Sequence, residues 1–448
     1  MLTNEEAKQR AITVIDQHKT EIIDLAQDIL KHPETGWNET RTSKVTRTWF
    51  DKLSIPHRHG IGLTGVKGSI KGGAGPGPSV GLLGELDSLR VPEHPFSDPL
   101  TGAAHACGHH AQMGSMLGAL TGLVDSSVLE SLSGTIVPFA VPAEEFIEVE
   151  NRLKLKAEGK IEFLGGKQEL IKLDEFNDMD MAIRMHTGDL PGAMKMSVGG
   201  TCNGHVVKFV QYEGRGAHAG GSPHLGINAL NAAMVAIHSM NANRETFRDD
   251  EMVRFHGIIN RGGDAVSAIP SDVRLEWRVR AGSISAVREN NKRLDRSFKA
   301  GALAVGAKVS INTIPGYFPI HNDKTMKDIF IESAQYVIGN DHLQVVSDDV
   351  NRGHSSDLGD LSYVLPTLGF NVAGVSGVGH GKDYLVEDWE NTIINTAKVY
   401  ATFMIDLLHG DASPAKKVIS SAKLDMTRSE YLRFQRDQAE EIHFDGAS

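Results

Sequence analysis

The sequence predicts an α/β protein in which a small βαββαβ domain of ferredoxin-like form is inserted into a larger α/β domain. Three observations carry that expectation. Up to about residue 200, glycine-bounded apolar runs alternate with helical stretches, the pattern of a largely parallel sheet. Over residues 201–313 the order becomes strand, helix, strand, strand, helix, strand. Beyond Pro315 helices and buried strands resume, as though the first domain continued. The expected divisions are therefore 1–200, 201–313 and 314–448, with a hinge at the two crossings and a charged, helix-compatible tail from Gly410.

Each element has its own signal. The opening MLTNEEAKQRAITVIDQHKTEIIDLAQDIL reads as an amphipathic helix, with Thr3 and Glu6 spaced as a capping box and Ile12, Ile15, Ile22, Leu25 and Ile29 as a buried stripe. GPGPSVGLLGELDSL predicts a buried strand ending near Glu85 and Asp87, and HHAQMGSMLGALTGLV an apolar helix. GTIVPFAVPAEE predicts a second strand ending at Glu144 and Glu145, although Pro138, lacking an N–H, argues against a central place for it. MDMAIRMH predicts a third strand, ending at His186. These polar residues fall at the carboxyl ends of strands, the rim on which open α/β sheets bind ligands. In the inserted domain, GINALNAAMVAIHSM predicts a helix with Ile227, Leu230, Met234 and Ile237 on one face. SDVRLEWRVRAG alternates Val273, Leu275, Trp277 and Val279 with Arg274, Glu276, Arg278 and Arg280, as a strand with one wet face does.

Composition narrows the function classes. A net charge of −11 over 448 residues, with Lys and Arg scattered, argues against a nucleic-acid partner. No apolar run approaches the ~20 residues that span a bilayer, and the N-terminal stretch lacks the basic-then-apolar order of a secretory signal. Two cysteines, Cys107 and Cys202, suit a reducing compartment, with the cytoplasm as the expectation.

The densest chemistry lies in LTGAAHACGHHAQM, residues 100–113. Cys107 and His109 stand two apart, so they can share a ligand only where the backbone turns rather than coils, and Gly108 supplies that freedom before a helix N-terminus. Such a terminus also favours the thiolate that a metal requires. A buried free cysteine beside capping histidines is the plain alternative; a cysteine nucleophile lacks a separate oxyanion motif. Glu144 and Glu145 are adjacent carboxylates that repel unless a cation or proton separates them, and a metal site divides such a pair between ligation and proton transfer. A solvated loop is their ordinary reading. His186, His380 in GVSGVGHGKDY and His218 in EGRGAHAGGSPH complete the candidates, each more often structural when taken alone.

Five motifs, HACGHH, VPAEE, MHTGDLPG, GRGAHAGGSPHLGINAL and GVGHGKDY, occur in the order found in M20-type metal-dependent amidohydrolases and peptidases. The resemblance spans roughly residues 30–400 and extends to the subgroup that includes aminobenzoyl-glutamate hydrolase, hippurate hydrolase and indoleacetyl-amino-acid hydrolases. It implies a zinc-peptidase-like catalytic domain with an inserted lid and dimerisation domain. It implies two divalent ions (Zn, Mn or Co) held by Cys107, His109, Glu145, His186 and His380, with Glu144 as general base and Asp87 supporting the site. His218 would steady the oxyanion, in many relatives across a dimer interface. The implied substrate is an N-acyl amino acid or small dipeptide-like molecule, cleaved at its amide bond. Four departures from the family pattern stand out: His110 in place of Asp, Glu85 in place of Asp or His, Ser267 in place of Asn, and EFLGGKQELI in place of a glycine-rich stretch. Deamination of an aromatic amine by the same centre, or a non-catalytic metal-binding homologue, are the competing readings.

Overall fold

The computed structural model describes residues 2–448. A mixed nine-stranded sheet runs in the order His57–Ile61, Gly65–Gly68, Ser133–Val141, Gly75–Glu85, Met181–Thr187, Thr367–Val372, Met196–Thr201, Leu343–Asn351, with Ile70–Lys71 also on Ser133–Val141. Ser133–Val141, Gly75–Glu85, Met181–Thr187 and Thr367–Val372 are mutually parallel, so their carboxyl ends open on one rim. Pro138 lies inside the sheet after all. It is tolerated because its antiparallel neighbour is interrupted between Gly65–Gly68 and Ile70–Lys71, where a proline without an N–H costs no ladder bond.

Helices cover both faces of the sheet. Asn4–Gln17, Lys19–Leu30, His109–Asp125 and Thr396–Leu408 pack on one side. Gly166–Lys172, Leu358–Ser362 and Arg428–Gln438 pack on the other, against Leu83, Val137 and Phe139. The predicted opening helix is two helices broken at His18, although the Thr3–Glu6 capping box forms and Ile15, Ile22 and Ile29 are fully buried. Ile12 and Leu25 are only partly covered.

The inserted domain is an antiparallel sheet in the order Arg254–Arg261, Asp272–Ala281, Gly204–Glu213, Lys308–Pro315, backed by helices Ala229–Ala242 and Ile284–Val305. The chain enters and leaves it in the βαββαβ order. A fifth strand, Glu440–Asp445, comes from the tail and pairs with Lys308–Pro315. The tail is thus helical only as far as Gln438; its last stretch alternates, with Ile442 and Phe444 packed on the core of the small domain.

Two faces differ from their sequence patterns. Helix Ala229–Ala242 buries Ala229, Ala232, Ala233, Ala236 and Met240, leaving Met234 48% exposed. Small residues win because Ile284–Val305 approaches closely: a Cβ on Gly301 would lie 2.2 Å from the Ala232 carbonyl oxygen. The arginine side of Asp272–Ala281 is not a wet face. It docks on the larger domain, with Arg274 paired to Glu150 at 3.0 Å and Arg278 over the Phe146 ring at 5.6 Å. Phe146, Leu164 and Tyr317 pack beneath it with Val207 and Ile314.

Candidate metal centre

The rim of the parallel strands gathers the candidate ligands. Gly108 has φ 84° and precedes helix His109–Asp125; a Cβ there would lie 2.2 Å from Thr187 Oγ1, so glycine alone lets Cys107 and His109 turn towards one point. Cys107 Sγ lies 3.2 Å from His186 Nε2. His380 is carried on a loop whose backbone N–H donates to the Ala106 carbonyl at 2.9 Å, and its Nε2 lies 3.6 Å from Glu145 Oε1. Two trios of ligand atoms result, Cys107–His109–His186 and Cys107–Glu145–His380, each within 4.8 Å and sharing the sulfur. A third trio, Glu85–His109–Glu144, adjoins them within the same spacing.

Asp87 braces the cage. Its carbonyl accepts from His109 Nδ1 at 2.8 Å, which turns Nε2 towards the other ligands, and its Oδ2 accepts from the Glu145 N–H at 2.9 Å. His109 Nε2, Glu145 Oε1 and Asp87 Oδ1 are buried with no hydrogen-bond partner among the described residues. Buried polar atoms without partners are costly, and a cluster of them is what a cation site leaves when only protein atoms are counted. The residues therefore fit divalent ions: thiolate and imidazole suit zinc, and the carboxylates suit manganese or cobalt equally.

Electrostatics sharpen the roles. Burial, then Arg184 and His109, push His186 down to about 3, so it stays a neutral imidazole, the form able to ligate. Burial and Glu145 push the Cys107 thiol well above its usual range, outweighing His109 and contradicting the expectation of a helix-lowered thiol. A cation in place of its proton would supply the thiolate. Burial, then Glu85 and Glu145, also raise Glu144, the direction a proton acceptor needs.

Three of the four departures lie next to or within the cage. Glu85 is buried and held by Lys167 Nζ at 2.6 Å, Gln112 Nε2 at 2.7 Å and Arg184 Nε at 3.4 Å. Burial alone would raise its pKa, but Arg184 and Lys167 keep it well below the usual carboxylate range. Lys167 also pairs with Asp357, and its placement depends on the preceding glycine: a Cβ on Gly166 would lie 1.7 Å from the Pro142 carbonyl oxygen. Lys167 belongs to the departing stretch and was not among the sequence candidates; the paired glycines before it were the available signal. His110 points away from the cage, its ring 5.9 Å from Trp389 and 5.4 Å from His105.

His218 is not brought to this site. It is exposed on the 214–226 loop, while the pocket meets the opposite end of strand Gly204–Glu213 at His205. That strand separates the two by about 27 Å at ~3.3–3.4 Å per residue. Ser267 shares the same exposed tip, its carbonyl accepting from the Ala219 N–H. The cleft itself is a cavity of about 350 Å³ lined by Cys107, Glu144, Glu145, His186 and His380 on one side and by Arg278, Arg280 and His205 of the small domain on the other.

Fold and cage together define a lidded metallohydrolase. The chain belongs to Peptidase family M20/M25/M40, which matches residues 81–406, and it is accordingly a hydrolase of amide or peptide bonds. Over 423 residues it is 26% identical to the Xaa-Arg dipeptidase of Mus musculus, covering 90% of this chain and 89% of that protein. It is 25% identical to the IAA-amino acid hydrolase ILR1-like 4 of Arabidopsis thaliana over 329 residues, 71% of this chain and 70% of that one. Among solved structures, the YXEP protein of Bacillus subtilis, a dinuclear metal-binding peptidase of the M20 family, superposes with a TM-score of 0.61 at 20% identity, covering 87% of this chain and 98% of that chain.

Proposed function

We propose that this protein hydrolyses the amide bond of an N-acyl amino acid or small dipeptide-like substrate. The observation that carries the reading is a carboxylate, Glu144, beside a five-residue cage: Glu144 Oε2 lies 3.9 Å from His109 Nε2 and joins no ion pair with Lys or Arg among the described residues. Cys107, His109, Glu145, His186 and His380 would hold two divalent ions, and Asp87 fixes the orientation of His109. Bound there, such ions polarise a carbonyl and make water a nucleophile near neutral pH. Glu144 takes the proton from the attacking water and delivers it to the leaving amine nitrogen. Tyr317 donates its hydroxyl to the Glu144 backbone carbonyl, and Lys167 neutralises Glu85 behind it, so the base is held in place and faces the cleft.

His218 acts in a second subunit. Its Nδ1 accepts from the Gly220 and Gly221 N–H groups at 3.2 and 2.9 Å, which leaves the Nε2 proton directed outwards as an oxyanion donor. The lid offers a surface for a partner copy: edge strand Arg254–Arg261 leaves Ile258 60% and Ile259 42% exposed, and the loop that follows it exposes Val266. Both cysteines are free and buried, in keeping with a reducing, cytoplasmic setting. The test is a mass-spectrometric screen of metal-loaded protein against N-acyl amino acids, dipeptides and aromatic amines. Release of an acid plus an amino acid supports the reading; ammonia release from an aromatic amine replaces it with deamination, and no turnover removes it.

A further inference from the structure

The cleft carries more positive charge than the cage explains. Arg278, Arg280 and Arg352 all line it, and none is paired with a carboxylate among the described residues. Their partners are neutral: Arg278 donates to the Phe146 carbonyl, Arg280 to His256 Nε2 at 3.0 Å and Ser355 Oγ at 3.2 Å, and Arg352 to Ser197 Oγ at 3.1 Å. Arg184 by contrast finds Glu85, and Arg274 finds Asp272 and Glu150, while the buried Arg152 is held by the Leu164 and Glu145 backbone carbonyls and stands outside the cleft lining. Burial and mutual repulsion with Arg280 push Arg278 down to about 10, a measure of how poorly this charge is compensated. His205 adds a donor. Its Nδ1 accepts from the Tyr317 N–H at 3.4 Å, which leaves the proton on Nε2, and that atom is buried without a partner among the described residues, on a residue 2% exposed.

Three uncompensated guanidinium groups call for more than one anionic group, since one carboxylate saturates a single arginine fork. They also stand on two bodies. Arg278 and Arg280 share a face of lid strand Asp272–Ala281, whereas Arg352 follows core strand Leu343–Asn351. We propose that the cleft takes an amino acid with a second carboxylate, of the aspartate or glutamate class, as the amine part of its substrate, held between the lid arginines with His205 and the core arginine. Such a ligand ties lid to core through its own two charges. The assignment rests on the amide-hydrolase reading for the bond cleaved, but not for the recognition.

Calorimetric titration of metal-loaded protein with L-glutamate and with L-glutamine separates the two. Glutamate binds about tenfold or more tighter, the usual scale of a charged hydrogen bond. Arg280→Met and Arg352→Met each bring that ratio to within about threefold, and Arg280→Lys restores part of it. In turnover, N-acetyl-L-glutamate exceeds N-acetyl-L-glutamine by a similar factor in kcat/KM. Equal binding of the two amino acids, a ratio untouched by both methionine variants, or inorganic phosphate competing as well as glutamate overturns the dicarboxylate assignment. Selective glutamate binding without hydrolysis of any N-acyl amino acid refutes the hydrolytic reading and leaves the anion pocket standing.

Discussion

Glu144 and Glu145 are neighbours in sequence with different surroundings. Glu145 faces Cys107 and His380, while Glu144 faces His109 and Glu85. Glu144→Gln should lower turnover by about 10²–10⁴-fold with metal content retained, and Glu145→Gln should lower the metal content itself. Metal analysis of both variants decides; loss of metal from Glu144→Gln would exchange their tasks. Asp360 gives a pH test away from the cage. Burial raises it to about 8, against hydrogen bonds from Tyr431 and Gln168 that lower it. A carboxyl raised in the folded state stabilises most at low pH, and that contribution fades as pH climbs from ~4, its unfolded value, to about 8. Asp360→Asn should therefore gain stability relative to the parent across that window and run parallel to it above; urea unfolding at several pH values reads the difference. The candidate ligands were legible because acids and an imidazole stood at strand ends and a thiol and an imidazole stood before a helix. Arg278 and Arg280 were not, because an arginine on an alternating strand reads as solvated until something packs over it.

At the scale of elements, helices and strands announced themselves wherever period and burial agreed. Strand Glu440–Asp445 did not, since EEIHFD is short, charged and separated by more than a hundred residues from its partner Lys308–Pro315. It covers an edge of the lid sheet that would otherwise be open. Ending the chain at residue 438 should raise backbone hydrogen exchange in Lys308–Pro315 while leaving the central sheet protected. Unchanged exchange in that strand would mean that the tail adds nothing to the lid. Helix Ala229–Ala242 teaches a related lesson: its larger side chains were the obvious core candidates, yet the alanine face went inward because a neighbouring helix comes close at Gly301.

For the whole molecule, the proposed role of His218, which lies away from its own cleft, requires assembly. Mixing inactive Glu144→Gln protein with His218→Ala protein should restore activity towards one quarter to one half of the parent, because a mixed dimer contains one site with both groups intact. No recovery after subunit exchange, confirmed by native mass spectrometry, would remove His218 from catalysis in trans. The sequence by itself determined the α/β plan and brought forward the candidate ligands, because hydrophobic period and ligand chemistry are local properties of the chain. Only the tertiary structure decided the rest: that Lys167 neutralises Glu85, that His110 turns from the cage, that a tail strand completes the lid, and that three arginines share one cleft. Those facts depend on which distant surfaces meet, and burial with charge compensation is settled by contact rather than by order along the chain.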